Sequence, residues 1–402
     1  MAQIVTSGLG RTGRDFVMVE AAFGTFLKPA ATAGSGSTPK QGQFLTLKSQ
    51  MSVKRNRANR ADKRLTRSQQ ERITRQKEVT WMADAYLLPP EVGDTNRCPD
   101  VAAFLRQAMG VQTLTANTSA AYTLSASQSA RGSLSIVRED ESIFMEAVSG
   151  AWVDEMKISL QQGEEPKISF SGMAKSYIPT RYTTLNAQAI DTATSIDVVN
   201  GRELANGSVV QVGTSNGGGV GHTLSAKTLV SGVNYTFTVT PAISGLQAIA
   251  SAIIPYVPSM TLNGSPIAGI EGSCTVVDSG GSPVSVEIDA LEVSLKNNDK
   301  AVYVAFQEEC VDYIPGIRDV SGSITLRLTR SQMDRLGARD ALVLQDIRAI
   351  FGSTTLLKCQ IDLKAEYEFE PVDLPESDEG KIKLPFVGLS AAGEGELIVT
   401  IN

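Results

Sequence analysis

Residues 321–329 read SGSITLRLT, and the spacing of their apolar residues decides the fold. Ile324, Leu326 and Leu328 fall on one side of an extended chain and Ser323, Thr325 and Arg327 on the other, because successive strand side chains point to opposite faces. The same alternation runs through GSLSIVRED (132–140), DEMKISLQ (154–161), PKISFSGMA (166–174), SVEIDALEVSL (285–295), LLKCQIDLKAEYEFE (356–370) and GELIVTIN (395–402). Half-buried antiparallel strands carry this signature. The expected fold is mainly β: two packed antiparallel sheets, sandwich- or barrel-like, each with one face for a core and one for water or a partner.

Two stretches break the pattern. In CPDVAAFLRQAMG (98–110), Val101, Phe104, Leu105, Ala108 and Met109 recur at helical spacing, with Pro99 suited to the first turn and Gly110 to the position after the last. This predicts a short amphipathic helix lying on a sheet. SQMDRLGARDALVLQDIRAIF (331–351) is also expected to be helical, with Ser331 and Asp334 as a weak capping pair and Gly337 dividing it into two pieces. Residues 183–256 are rich in Ser, Thr, Asn and Gly, and NG, NGG and SGV turn signals separate short β-branched runs. They are expected to form a small inserted β module, although a long decorated hairpin shares these turn signals. With 402 residues and 42% hydrophobic content the chain can bury a large core. The expected division is 1–182, the insert 183–256, and 257–402.

Few enzymatic constellations are available. The sole histidine, His222, lies in NGGGVGHTL and reads as a solvated loop side chain; no GxSxG elbow or Walker A loop accompanies it. The runs containing Glu164 and Glu165, or Glu139, Asp140 and Glu141, read as solvated turns. Cys98, Cys274, Cys310 and Cys359 are widely spaced with no CxxC pair, so buried free thiols are expected rather than a zinc or redox site. The sequence predicts neither an enzyme nor a cofactor or metal site. The amino terminus lacks the apolar core of a signal peptide and no window approaches twenty apolar residues, so a soluble, cytoplasmically made chain without membrane insertion is expected.

Charge is unevenly distributed. Between Lys54 and Lys77 there are ten Lys and Arg against Asp62 and Glu71, so this block carries +8, and a total of −6 leaves −14 on the remainder.

Taken in order, several segments resemble the tail tube proteins, the major tail proteins of long-tailed bacteriophages: GRDFVMVEAAFGT (13–25), the basic run leading into EVTWMADAYLLPPEVG (78–93), PDVAAFLRQAMG (99–110), SLSIVRED (133–140), GAWVDEMKISLQQGEEPKISFSGMA (150–174) and YIPGIRDVSGSITLRLT (313–329). The resemblance spans residues 13 to about 182 and resumes near 258. It implies two β-sheets packed roughly orthogonally with a flanking helix, a fold shared with the tube protein of type VI secretion machines. It also implies hexameric rings whose inner sheets join into one barrel, stacked into a tube that conducts DNA without specific binding, in contact with a tape measure protein and other tail proteins. The protein would then reside in the virion after assembly in the bacterial cytoplasm. The insert departs from the minimal pattern; projecting outward, it would obstruct a contractile sheath, which favours a non-contractile tail.

Three readings of residues 51–77 compete. Basic clusters commonly bind phosphate, but no aromatic interleaves between Met51 and Thr80 to stack bases. The block can instead contact acidic surface on another subunit, with Arg55, Arg57, Arg60, Lys63, Arg64, Arg67, Arg72 and Arg75 facing carboxylates such as Glu368, Glu370 and Asp373, since complementary patches set register. It can also be a solvated arm. A basic lumen is disfavoured, because each phosphate contact releases counterions and would hold DNA at every ring. Outside the conduit reading stands a β-rich tail-associated adhesin that binds receptors through the polar insert, although the insert holds only Tyr235, Phe237 and, at its boundary, Tyr256 as aromatics.

Overall fold

The computed structural model describes residues 13–29, 41–59, 72–90, 95–125, 127–140, 144–161, 163–202, 204–258, 267, 271–278, 282–327, 339–340, 342–352, 357–368, 381–390 and 394–402; side chains of 57–59, 72–75, 128 and 129 lie outside that description. Among the described residues the chain is mainly β, built from antiparallel sheets with one short helix, Ala102–Met109, and the single helical turn Gln128–Arg131.

A first sheet runs in the order Gly42–Phe44, Gly13–Val19, Leu134–Asp140, Phe144–Gln161, Ser176–Arg181. The 18-residue strand Phe144–Gln161 then leaves it and enters a second sheet. Gly150 sits at the crossing with φ +62, and a Cβ there would lie 2.7 Å from that of Lys175, so a residue without a side chain is required. The second sheet continues Thr46–Asn59, Arg72–Tyr86, Lys167–Ala174, the far half of Phe144–Gln161, Ile288–Lys296, Asp319–Arg327 and Lys381–Gly388. From there the pairing passes through Cys359–Tyr367, Gln345–Phe351 and Gly272–Asp278 to Val284–Val286. Only Glu287 separates that strand from Ile288–Lys296, so this part of the sheet closes on itself. Among the described residues Val284–Val286 itself is laddered on one side, to Gly272–Asp278.

The helix Ala102–Met109 ends on Gly110, at φ +107, and its chain turns directly into the strand Gly110–Thr115. It does not lie on the outside of a sheet as its spacing suggests: every residue except Arg106 is buried. Phe104 shows why, with Trp81 and Phe170 of the second sheet stacked on it at 5.5 and 4.9 Å and Phe44 of the first sheet edge-on at 5.1 Å. A helix held between two sheets needs apolar residues all round.

The structure corrects the expected helix of 331–351 over its last part; Arg339 and Asp340 are helical. Residues 331–338 lie outside the described residues, whereas Gln345–Phe351 is a strand, with Gln345, Ile347, Ala349 and Phe351 buried in alternation between two neighbouring strands.

Residues 183–255 form their own six-stranded sheet, in the order Thr183–Thr184, Ala252–Pro255, Val209–Val212, His222–Ser231, Asn234–Thr240, Ser195–Val198. A bridge between Leu185 and Val198 links its two ends. Leu185, Val198, Val212, Leu224, Phe237 and Ile253 are among its core residues.

The two faces of the first sheet explain how the layers stack. Val17, Ile136 and Val148 point into the main core, while Phe16, Val137, Met145 and Ala147 point the other way and meet Ile178, Val209 and Val257. Both faces are covered, and its strand Gly13–Val19 accordingly carries an unbroken apolar run from Phe16 to Val19. The order of layers is therefore insert, first sheet, helix with the main core, and second sheet, whose outer face is opposite the insert.

Candidate assembly surface

The basic block forms a β-hairpin. Thr46–Asn59 and Arg72–Tyr86 pair over their whole length, but only Val79–Tyr86 has a further strand, Lys167–Ala174, on its other side. Beyond Val79 the hairpin is therefore a two-stranded ribbon, and among the described residues Thr46–Asn59 is paired on one side only. Its unpaired N–H and C=O groups are a template for another strand. Its start is tied to the first sheet: Thr46 and Ser49 donate to the Asp15 carboxylate, Ser49 at 2.8 Å. Burial pushes the Asp15 carboxyl up from its ordinary value, against the pull of those two donors.

In this register Arg55 lies directly opposite Lys77, and like charges opposite one another destabilise a ladder. Glu308 and Glu309 relieve the repulsion. Arg55 Nε is 3.4 Å from Glu308, and the nearly buried Lys77 Nζ donates to Glu309 at 2.9 Å. The Lys77 N–H also donates to the Glu308 carbonyl at 2.8 Å, and the Tyr303 hydroxyl to the Lys77 carbonyl at 3.2 Å. Part of the acidic complement of the block thus comes from the same chain, in AFQEEC (305–310), more than 200 residues away. That segment was not among the sequence-derived candidates, and no local pattern marks it.

Of the residues singled out by sequence, Arg55 is exposed apart from this pair, and Arg57, Arg72 and Arg75 lie on the ribbon strands with their side chains outside the description. Arg60, Lys63, Arg64 and Arg67, with Glu370 and Asp373, lie outside the described residues. Glu368 is exposed just past the strand Cys359–Tyr367, and its N–H donates to the Pro385 carbonyl.

The outer face of the second sheet is polar and small. Thr80, Ser169, Ser171, Ser159, Ser294 and Ser323 lie across it, alternating with the buried Val79, Ile168, Phe170, Ile158, Val293 and Ile324. Charges on this face neutralise one another across strands: Lys157 reaches Glu292 at 3.2 Å and Lys296 reaches Glu155 at 3.8 Å. Such exposed pairs contribute only about 0.2–1 kcal/mol each. These two pairs carry no net charge of their own on this part of the face.

Chemistry elsewhere is sparse. His222 is fully buried, contrary to the solvated side chain expected from its glycine-rich context. Its Nδ1–H donates to the Pro241 carbonyl at 2.7 Å, which leaves Nε2 to accept from the Ser215 hydroxyl at 2.9 Å. Ser215 is equally buried and also accepts from the Ser244 N–H, so the Ser–His contact ties three insert segments together and has no path to a substrate. Cys98, Cys274, Cys310 and Cys359 are free and buried; burial pushes the Cys274 thiol up to about 12 and that of Cys310 up to about 11. Among the described residues no group of three His, Cys, Asp or Glu is placed to hold a metal ion, and no helix is long and apolar enough to cross a membrane. No family model matches the chain, and no curated protein matches it.

Proposed function

We propose that this chain is a structural subunit that self-assembles, as in the phage tail tube proteins its sequence resembles, into hexameric rings stacked as a conduit for DNA. The observation that carries the reading is the strand Thr46–Asn59, fourteen residues long and paired on one side only among the described residues. A second copy can complete its hydrogen bonding, and ring closure removes the edge altogether.

The polar outer face of the second sheet supplies the lumen wall in this reading. Hydroxyls and mutually paired charges give DNA little net charge to hold, as a conduit requires. The insert covers the opposite side of the subunit, so it decorates the tube exterior. The basic ribbon projects past the sheet and meets acidic surface of a neighbouring ring.

Negative-stain electron microscopy of the purified protein tests the proposal. Rings or tubes of uniform diameter are expected; monomers alone, at high concentration and across salt conditions, would refute it.

A further inference from the structure

The chain passes from the edge of the first sheet to the edge of the second through QFLTLKS (43–49). Among the described residues Gly42–Phe44 is laddered to Gly13–Val19 alone and Thr46–Asn59 to Arg72–Tyr86 alone, so the open margin of both sheets is one continuous stretch of backbone. At its corner Leu45 is 46% exposed and Leu47 47%. They flank Thr46, whose hydroxyl donates inward to the Asp15 carboxylate, and the neighbours of an inward side chain on an extended backbone point outward. Thr46 stands opposite Ala85 and Lys48 opposite Asp84, which makes Leu47 the extra residue of a bulge, a device that re-aims a side chain.

The corner is held from within. Thr46 and Ser49 donate to the two oxygens of Asp15, and Arg138 Nη1 donates to the Ser49 carbonyl at 3.1 Å. Phe44, just before the corner, is buried with its ring edge-on to Phe104. An apolar pair on a backbone already fixed meets a partner with little ordering cost.

Beyond the corner the edge is guarded. TLKSQMSVKRNRAN (46–59) holds Lys48, Lys54, Arg55 and Arg57 and no acid, with a second break in register between Arg55 and Arg57. Cations and bulges on an edge strand prevent indiscriminate strand addition. Two copies of this strand laid side by side would set like charges against one another, which destabilises a ladder. Outside the basic block the chain carries −14, so another face of a second copy can offer what the same strand cannot.

We propose that Leu45 and Leu47 are the apolar anchor between neighbouring copies, and that they meet a different, neutral or acidic face of the next copy rather than its Thr46–Asn59 strand. This rests on the assembly reading above and deepens it by naming the anchor and the sense of the contact. A contact between unlike faces repeats around a ring where the rotation closes, whereas like strands meeting would stop at a dimer.

The test uses full-length Leu45→Ser/Leu47→Ser, which removes the apolar pair without changing charge, with Leu229→Ser, a leucine of the insert that is 56% exposed, as control. The double variant, checked for folding by circular dichroism, should give about tenfold less sedimentable polymer, and Leu229→Ser as much as wild type. A thiol reads the contact directly, because the native cysteines are buried. The Leu47→Cys thiol should be shielded from a maleimide in sedimented tubes and reactive in unassembled subunits, whereas that of Leu229→Cys reacts in both. This labelling decides by itself if the double variant does not fold. If wild-type tubes form, but the double variant polymerises normally or the Leu47→Cys thiol labels freely in tubes, the anchor is wrong and the assembly reading stands. A wild type that stops at dimers, or forms no assembly at all, would overturn both.

Discussion

Arg131→Met should lower the stability of the main body by about 3–5 kcal/mol, the cost of leaving one partner of a buried ion pair alone. Arg131 and Asp299 are both buried and lie 168 positions apart in sequence. The guanidinium donates to Asp299 and also to the Gln107 carbonyl at 2.8 Å and the Val153 carbonyl at 2.8 Å. One side chain therefore joins the helix, the long strand and the loop that follows Ile288–Lys296, and Met fills the volume without replacing any of these bonds. With residues 183–256 set aside, about 330 of the 402 residues remain. Their unfolding entropy near 60 °C is about 0.7 kcal/mol/K, so the loss converts to a Tm drop of about 4–7 °C. Differential scanning calorimetry reads this directly. Adding Asp299→Leu to Arg131→Met should recover part of the loss, because the stranded carboxylate is removed. A single variant within about 1 °C of wild type, or a double variant that loses the sum of both singles, would show that the pair does not act as argued.

Two further outcomes follow from other sites. The Lys381 ammonium and the Arg327 guanidinium hold the Asp289 carboxyl below its ordinary value of 3.8, so its contribution is fully present above that pH and disappears as pH falls through the lowered value. Asp289→Asn should therefore lower Tm at pH 6 and converge with wild type in acid below pH 3.8; a difference that widened in acid would reverse the assignment. His222→Phe should cost about 1–3 kcal/mol, because it strands the Pro241 carbonyl and takes one partner from the Ser215 hydroxyl, which keeps only Ser244. Hydrogen exchange followed by mass spectrometry should show the lost protection within residues 183–256, and loosening of the main sheets instead would count against a self-contained insert.

The alternating strands and the short helix were legible because their information is local. Ile324 and Leu326 alternate with Ser323 and Thr325 whatever the rest of the chain does, and Pro99 and Gly110 bracket the helix. Gln345–Phe351 misled because Leu344, Ile347 and Ile350 recur at helical spacing while Gln345, Ile347, Ala349 and Phe351 recur at strand spacing. Only pairing with Gly272–Asp278 and Cys359–Tyr367 decides between them. The ribbon was hidden for a related reason: KRNRAN (54–59) has no apolar alternation, and its strand conformation comes from the ladder. His222 misled through its glycines, which build the turn that carries the ring inward rather than exposing it. Glu308 and Glu309 carry no local signal of their roles, since each acts through residues far away in sequence.

The ribbon explains why a block of positive charge does not have to mean a grip on DNA. A two-stranded hairpin is marginal by itself in water, and this one sets Arg55 against Lys77. Its order at that point depends on Glu308 and Glu309, so the two cations are already engaged by carboxylates of the same subunit. A phosphate arriving there must first displace those partners, and releasing them restores the repulsion across the ladder. The same carboxylates hold the loop 303–310 against the hairpin, which makes the ribbon base and that loop one mechanical unit.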